Sequence, residues 1–477
     1  MGLGVWGLGL GVSISITALL YLAPLLLNAP LTDPDEGLHA AISQEMVERG
    51  DFIVPRFVGR PFFDKPILFF WAQAASMRLF GMSTAAARLP GMLFALLGIV
   101  TTGWLARVLF ADARRVVPRD PQRSGVPGPS IGWLAAGCYA TMVLPFLLAQ
   151  APVHDIALVP FTSVALGLLW RSRDPGSGIR DSLLAGVALG LSILTKGLEG
   201  IAIVGVGFAV YLLVTRTLTR RLVFLGILVV IVAALVALPW YLAMNAREPG
   251  YLRYYFLNRH LLGFATETQR HGGQAWWYYL PLLIAGGLPW IVYVRRSALS
   301  DMPGKFLWIW PAAGLVLLSL SNSKAVTYIL PVMPAIAIVA SRSDAVARQW
   351  RPVAIAMAVV YVTALVTAGS SLARSHSAID LTEYFNNAGQ LPSRMFVMEY
   401  RVSFVYYLRP DVRARMHRDQ IESFLGAELV TMQPFPKDAV LALPADLADG
   451  RLARLPQLAN AHRKQVGRYL LISPAGE

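Results

Sequence analysis

The sequence predicts an all-α polytopic membrane protein of about 11 transmembrane helices, with added interfacial helices and a small C-terminal α/β domain outside the membrane. Three observations predict it. Of 477 residues, 56% are hydrophobic and only 15% are charged, whereas soluble domains carry about a quarter charged residues. Apolar runs near the length of a bilayer span recur up to residue 373. From 374 to 477 the runs shorten, and Asp, Arg and Pro return. The expected domains are therefore 1–373, including a polar outer loop at 28–88, and 374–477.

The runs lie at 3–27, 89–106, 131–153, 156–170, 182–195, 201–215, 222–246, 272–294, 306–323, 325–341 and 352–373. The first is read as a retained helix rather than a signal peptide, because no Lys or Arg precedes Arg49 and no convincing cleavage site follows. A further run at 66–80 is read as an interfacial or re-entrant helix. Basic clusters follow every second span: Arg114 and Arg115, Arg171 and Arg173, Arg220 and Arg221, Arg295 and Arg296, Arg348 and Arg351. Cytoplasmic loops have this bias. The alternation holds from a cytoplasmic N-terminus only if 66–80 does not cross. The loops 28–88 and 244–271 and the C-terminal region then lie outside. Residues 117–130 read as a flexible loop from their Pro, Gly and Ser. Residues Met395–Leu408 read as one or two strands.

The net charge of +14 serves loop retention and anionic lipid rather than nucleic acid. The single cysteine, Cys138, sits in an apolar run and permits neither a disulfide framework nor a thiolate metal site.

Polar residues gather in the first outer loop, Thr32-Asp33-Pro34-Asp35-Glu36-Gly37-Leu38-His39. Asp33 suits a helix N-cap, Pro34 the first helical position and Glu36 an acidic capping box. Leu38, Ile42 and Met46 then form an apolar stripe, as on a helix lying on a membrane surface. Asp35 either offsets the helix dipole or projects into a cleft as a general base. Lys65 precedes Pro66 at a helix start, where it either snorkels or holds a lipid phosphate. Asp155, Lys196, Glu199 and Lys324 all fall at outer helix ends, a convergence that suits an anionic lipid headgroup. The loop 244–275 adds Arg253, Arg259, His260, Arg270 and His271. The following Trp276-Trp277-Tyr278-Tyr279 reads as an interfacial belt.

These residues form an ordered set. Asp35-Glu36, Glu45-Met46, Gly50 to Pro55, Phe63-Asp64-Lys65-Pro66 and Ala87-Arg88-Leu89-Pro90 come first. His154-Asp155, Thr195-Lys196-Gly197, Pro239-Trp240-Tyr241, Ser323-Lys324 and Tyr328-Ile329-Leu330-Pro331 follow. From about residue 20 to 340 the set resembles the bacterial aminoarabinose transferases and the wider protein mannosyltransferase-like group of C-type glycosyltransferases. The resemblance implies an undecaprenyl-phosphate or other polyprenyl-phosphate sugar donor, an inverting transfer at the periplasmic face of a bacterial inner membrane, and no soluble sugar nucleotide. It implies Asp35 as the catalytic carboxylate, with Glu36 and Asp155 beside it as candidates. It implies Lys65 as a donor-phosphate ligand; from their outer-face positions Lys196, Lys324 and Arg270 are read as further donor-phosphate cations. Some relatives hold zinc with an acid at the position of Asp64 and a histidine at that of His271; here the acid is the shorter Asp. Leu38 and His39 stand where the aminoarabinose enzymes have Arg and Tyr, so donor or acceptor specificity is expected to differ. The acceptor is a lipid, a glycan or a protein. A protein O-mannosyltransferase-like enzyme and a non-catalytic flippase of a lipid-linked sugar are the alternatives.

Overall fold

The computed structural model describes residues 17, 20–22, 25, 27, 29–111, 131–151, 153–265, 273–294, 301–416, 420–424, 435–453, 455–458 and 460–473. Arg270, His271, the loop 117–130 and most of the run 3–27 lie outside the described residues. The chain divides into two compact units. Unit 1 holds residues 1–23, 63–69 and 88–363; unit 2 holds 24–62, 70–87 and 364–477.

The helices in chain order begin with α1 (Asp35–Arg49), α2 (Leu68–Phe80) and α3 (Thr84–Leu109). There follow α4 (Ile131–Thr141), α5 (Val143–Ala149), α6 (His154–Arg171), α7 (Gly178–Lys196), α8 (Leu198–Val214) and α9 (Arg220–Arg247). After a π-helical segment (Arg253–Leu262) come α10 (Tyr279–Gly286), α11 (Met302–Leu320), α12 (Met333–Ala340) and α13 (Asp344–Ala364). Five described helices are long and apolar enough to cross a membrane: α3, α7, α9, α11 and the continuous stretch Asp344–Ser375. A sixth counts if α4 and α5 form one broken span.

The expected single run at 131–153 is two helices, bent by 64° at Met142. Pro145 explains the break. It has no N–H to give to the carbonyl of Thr141, and its ring would clash with that group in a straight helix. The freed Thr141 carbonyl accepts the Tyr361 hydroxyl at 3.0 Å instead. The run 325–341 is also divided, into a 3-10 segment (Val326–Val332) and α12, around Pro331 and Pro334. At 13 residues α2 is about 20 Å long, short of a hydrocarbon core of about 30 Å.

Small residues let the helices of unit 1 close up. A Cβ built on Gly186 of α7 would lie 2.6 Å from Val232 Cβ of α9, and one on Gly190 only 2.5 Å from Val236 Cβ. Van der Waals contact of this kind, rather than a hydrophobic drive, holds helices together in lipid.

Unit 2 is built on a five-stranded sheet of order β4-β3-β5-β7-β6. Its strands are β3 (Arg394–Met398), β4 (Ile421–Phe424), β5 (Ala439–Pro444), β6 (His462–Val466) and β7 (Tyr469–Ser473). A short hairpin, β1 (Arg56–Phe57) and β2 (Arg60–Pro61), lies in the first loop. Strand β3 runs parallel to β4 and β5; β7 pairs antiparallel with β5 and β6. Side chains alternate between faces. Met395 and Val397 join Ala442 and Leu471 in one core, while Phe396 and Met398 join Leu441 and Ile472 in another. Leu31, Ala40, Ala41, Met77 and Ala87 of the first loop complete the first core.

One expectation narrows and one changes in unit 2. Of the one or two strands read in Met395–Leu408, one forms, because Glu399 (φ 61°) and Tyr400 (φ 50°) turn the chain out of the sheet; residues Ser403–Tyr407 form helix α16. Between α13 and α16 in chain order lie α14 (Ser370–Ser375) and α15 (Ile379–Ala388), and α17 (Pro410–Arg413) follows. Helix α1 is not a surface-lying amphipathic helix. Ile42 and Met46 are buried, but so are His39, Ser43 and Gln44. Ser43 bonds Gln73 at 3.0 Å, and Gln73 bonds the Ala87 carbonyl at 2.9 Å, so this polar face meets protein instead of water.

Candidate functional site

In unit 1 a buried ion cluster forms where three helices end. Asp155 lies in the first turn of α6, Lys196 closes α7, and Glu199 lies in the first turn of α8. Gly197 joins the last two with φ 84° and ψ −139°, a backbone region open essentially to glycine alone. The tight reversal lets the Lys196 ammonium meet Glu199 Oε2 at 2.6 Å and Asp155 Oδ1 in a short contact. The same ammonium lies 3.7 Å from the ring centroid of Tyr328. Thr327 hydrogen-bonds Asp155. Lys196 and Asp155 are only 6% and 5% exposed, so the two acids neutralise one cation and leave a net negative charge in a nearly dry site.

Lys65 offsets that charge. It is half-buried, and its ammonium acts electrostatically on Asp155, Glu199 and His260. Among the described residues Lys65 makes no direct hydrogen bond or ion pair. Its neighbour Asp64 accepts the Tyr254 hydroxyl at 2.8 Å and faces Arg259 Nε at 3.9 Å. His260 fastens the π-helical segment to the Gly197 reversal. Its Nδ1 donates to the Tyr255 carbonyl at 2.9 Å, and its Nε2 accepts the Leu198 N–H at 3.2 Å. Burial lowers the imidazole pKa, and the cations Arg259, Lys65 and Lys196 lower it further, which fits this neutral tautomer. Lys324 is buried too, but its ammonium donates to the Ser321 carbonyl just past the end of α11.

In unit 2, α1 starts at Asp35, with Pro34 as the residue before it. Asp33 is therefore not the helix cap. Its carboxylate accepts the Ser403 N–H at 2.6 Å and the Ser403 hydroxyl at 2.5 Å. The expected capping box does not form, because the residue before the helix is Pro34 and no side chain caps it; Glu36 instead ties down the preceding turn, accepting Thr32 N–H at 2.6 Å and the Thr32 hydroxyl at 2.7 Å. Asp35 is exposed and, among the described residues, has no hydrogen-bond partner.

Desolvation pushes the Asp33 carboxyl up to about 7; the two Ser403 bonds and Arg401 pull it down, and Glu36 pushes it up. An unfolded Asp titrates near 3.9. Between about pH 4 and 7 the folded state therefore holds the extra proton, and stability falls as pH rises through that window. Thermal unfolding of the purified protein should show this slope, and Asp33→Asn should flatten it. An unchanged slope in the variant would contradict the assignment.

The structure thus brings Asp155, Lys196, Glu199 and Lys65 together in unit 1, and places Asp35, Glu36 and Asp33 at the α1 start in unit 2. Lys324 is engaged elsewhere, and Arg270 lies outside the described residues. The sequence reading noted His260 only within a basic loop, and missed Tyr254 and Thr327. No local pattern marks those residues. Among the described residues no three His, Cys, Asp or Glu side chains converge as a metal site. Asp64 Oδ1 faces a phenol and a guanidinium, and the other residue named for zinc, His271, lies outside the described residues.

Comparison with known proteins adds the following. The family described as dolichyl-phosphate-mannose-protein mannosyltransferase matches residues 128–255. Over 354 residues the chain is 32% identical to undecaprenyl phosphate-alpha-4-amino-4-deoxy-L-arabinose arabinosyl transferase 2 of Pseudomonas fluorescens, covering 70% of this chain and 58% of that protein. To the corresponding transferase of Aeromonas salmonicida it is 30% identical over 335 residues, covering 68% and 58%. The chain thus spans about 58% of the length of these curated relatives. The solved structure of ArnT from Cupriavidus metallidurans bound to undecaprenyl phosphate matches 97% of this chain and 98% of its own, with a TM-score of 0.71 at 22% identity. The Archaeoglobus fulgidus oligosaccharyltransferase matches 92% of this chain and 70% of its own, with a TM-score of 0.54 at 13% identity.

Proposed function

The chain is an aminoarabinose transferase-like, multi-pass membrane protein with the C-type glycosyltransferase fold, and from that premise we propose that it transfers a sugar from a polyprenyl-phosphate carrier to a lipid or glycan acceptor. The reaction inverts the anomeric centre and takes place at the periplasmic face of a bacterial inner membrane. The reading includes the eleven spans inferred from the apolar runs, with residues 374–477 in the periplasm.

One observation carries the reading. Lys196 has its charge met by one buried and one half-buried carboxylate, whereas Lys65, beside them, has no direct partner among the described residues. Intramembrane ionisable groups are expensive and mark functional sites by default. A cation left over at the mouth of such a cluster suits a phosphate monoanion or dianion. The printed names of the relatives supply the chemistry: undecaprenyl phosphate as the carrier.

In the proposed step an acceptor oxygen attacks the anomeric carbon. The bond from that carbon to the phosphate oxygen breaks, and polyprenyl phosphate leaves with the electron pair. Asp35 takes the acceptor proton. Its exposed carboxylate has no partner among the described residues and suits this role, while Glu36 holds the helix start rigid through Thr32. Phosphate is a good leaving group, so stabilising its growing charge at Lys65 outweighs acid assistance. Asp155 and Glu199 hold Lys196 and shape the site. No step passes through a metal.

The test is release of free polyprenyl phosphate by purified protein given a polyprenyl-phosphate sugar. Lys65→Ala should raise the donor KM by about tenfold or more, the loss of a charge-assisted hydrogen bond. Absence of release from any lipid-linked sugar would sink the enzymatic reading and favour a flippase, which leaves its cargo intact. The mannosyltransferase match over 128–255 favours one second reading, a polypeptide acceptor. The mass of the product separates the two.

A further inference from the structure

The C-terminal residues of unit 2 reach back to α1 at several points: apolar side chains pack on its middle, and the polar contacts gather at its ends. Asp33, two residues before Asp35, accepts both the N–H and the hydroxyl of Ser403. The Asp33 N–H donates to the His376 carbonyl at 2.7 Å. Leu31 N–H donates to the Tyr407 hydroxyl at 2.7 Å, and that hydroxyl also meets Thr84 at 2.9 Å. At the far end of α1, Glu48 pairs with the Arg413 guanidinium. Gly37 fits without a side chain against the same segment: a Cβ there would lie 2.6 Å from Ser403 Cβ and from Asp33 Oδ1.

The gripping segment is itself held under strain. Glu399 and Tyr400 both have left-handed backbones, which L-residues other than Asn and Asp seldom adopt. Two such residues in succession persist only where their surroundings over-determine them, and they gather at functional places. Here they carry the chain from β3 straight to Arg401, whose charge acts on Asp33, and to Ser403. Ala40 and Ala41 of α1 share an apolar core with Phe404 and Val405, but apart from the Glu48–Arg413 pair the polar bonds fall on the turn that carries Asp35.

We propose that the C-terminal sheet region is a clamp that sets the direction of the Asp35 carboxylate, with Ser403 as the positioning residue acting through Asp33. The proposal rests on Asp35 being the base. It gives a task to the one region where the sequence resemblance fades.

The experiment compares Ser403→Ala, Ser403→Thr and Tyr407→Phe in the full chain, with donor and acceptor kinetics measured on each. Misplacing a reacting group by about 1 Å costs up to about a hundredfold. Ser403→Ala should therefore lower kcat by about tenfold to a hundredfold while leaving donor KM within about twofold. Ser403→Thr, which keeps the hydroxyl, should restore most of that rate. Tyr407→Phe should lower kcat in the same sense, and decides the matter if Ser403→Ala does not fold. Wild-type kcat in Ser403→Ala or, failing that variant, in Tyr407→Phe, together with an inactive Asp35→Asn, overturns the clamp and leaves the base in place. A raised KM at unchanged kcat overturns it as well. Wild-type turnover in Asp35→Asn is a different result, and removes the base.

Discussion

Replacing Asp35 by Asn is expected to lower sugar transfer by about 10²- to 10⁴-fold, the usual contribution of a positioned general base. The fold should survive the change. Asp35 is the first residue of α1, is exposed, and has no hydrogen-bond partner among the described residues. The substitution keeps shape and volume and removes one negative charge from a helix N-terminus, which costs about 0.3–1 kcal/mol. Activity and stability should therefore separate cleanly. Glu36 next to it behaves in the opposite way. It is 2% exposed and satisfies both the N–H and the hydroxyl of Thr32. Glu36→Ala should cost roughly 1–3 kcal/mol of stability, as leaving partly buried donors without their acceptor does. Parallel melting curves and polyprenyl-phosphate release measure both quantities. Full turnover in Asp35→Asn would remove the carboxylate from the mechanism.

Lys196→Met should be the most damaging change to the fold. It leaves Asp155 and Glu199 without their contact counter-ion, with only the charge of Lys65 acting on them, and breaking a buried pair in this way costs about 3–5 kcal/mol. The tight contact to Asp155 and the 2.6 Å contact to Glu199 imply that this lysine is occupied with protein before any lipid arrives. The expected results are a large fall in thermal stability and partial recovery when Asp155→Asn is added, because one uncompensated charge then disappears. A stable Lys196→Met protein with only a weakened donor KM would make Lys196 a phosphate ligand in its own right. Lys65→Ala provides the contrast: little change in stability, and a weaker grip on the donor.

Several features of the site were legible before any coordinates. Asp155, Lys196 and Glu199 stand out because an ionisable residue at the end of an apolar run is costly and so rarely idle. The Pro145 break was legible in principle, since a proline inside a long run removes a carbonyl's partner four residues back. Hydropathy alone averages over it, so the run reads as one span. The helical turn Ser403–Tyr407 was missed for another reason. MFVMEYRVSFVYYL alternates well enough for two strands, and only the left-handed backbone at Glu399 and Tyr400 ends the first.

The sequence by itself determined the membrane-helical class, because long runs with few charges leave the backbone no partner in lipid except its own helix. It also named the charged residues that such a fold must explain. Their partners were decided by tertiary structure alone. Asp33 bonds a serine 370 positions away, and Lys196 reaches Asp155 across 41. Periodicity and capping rules reach only a few residues along the chain, while a buried charge takes whichever counter-group the packing of distant elements delivers.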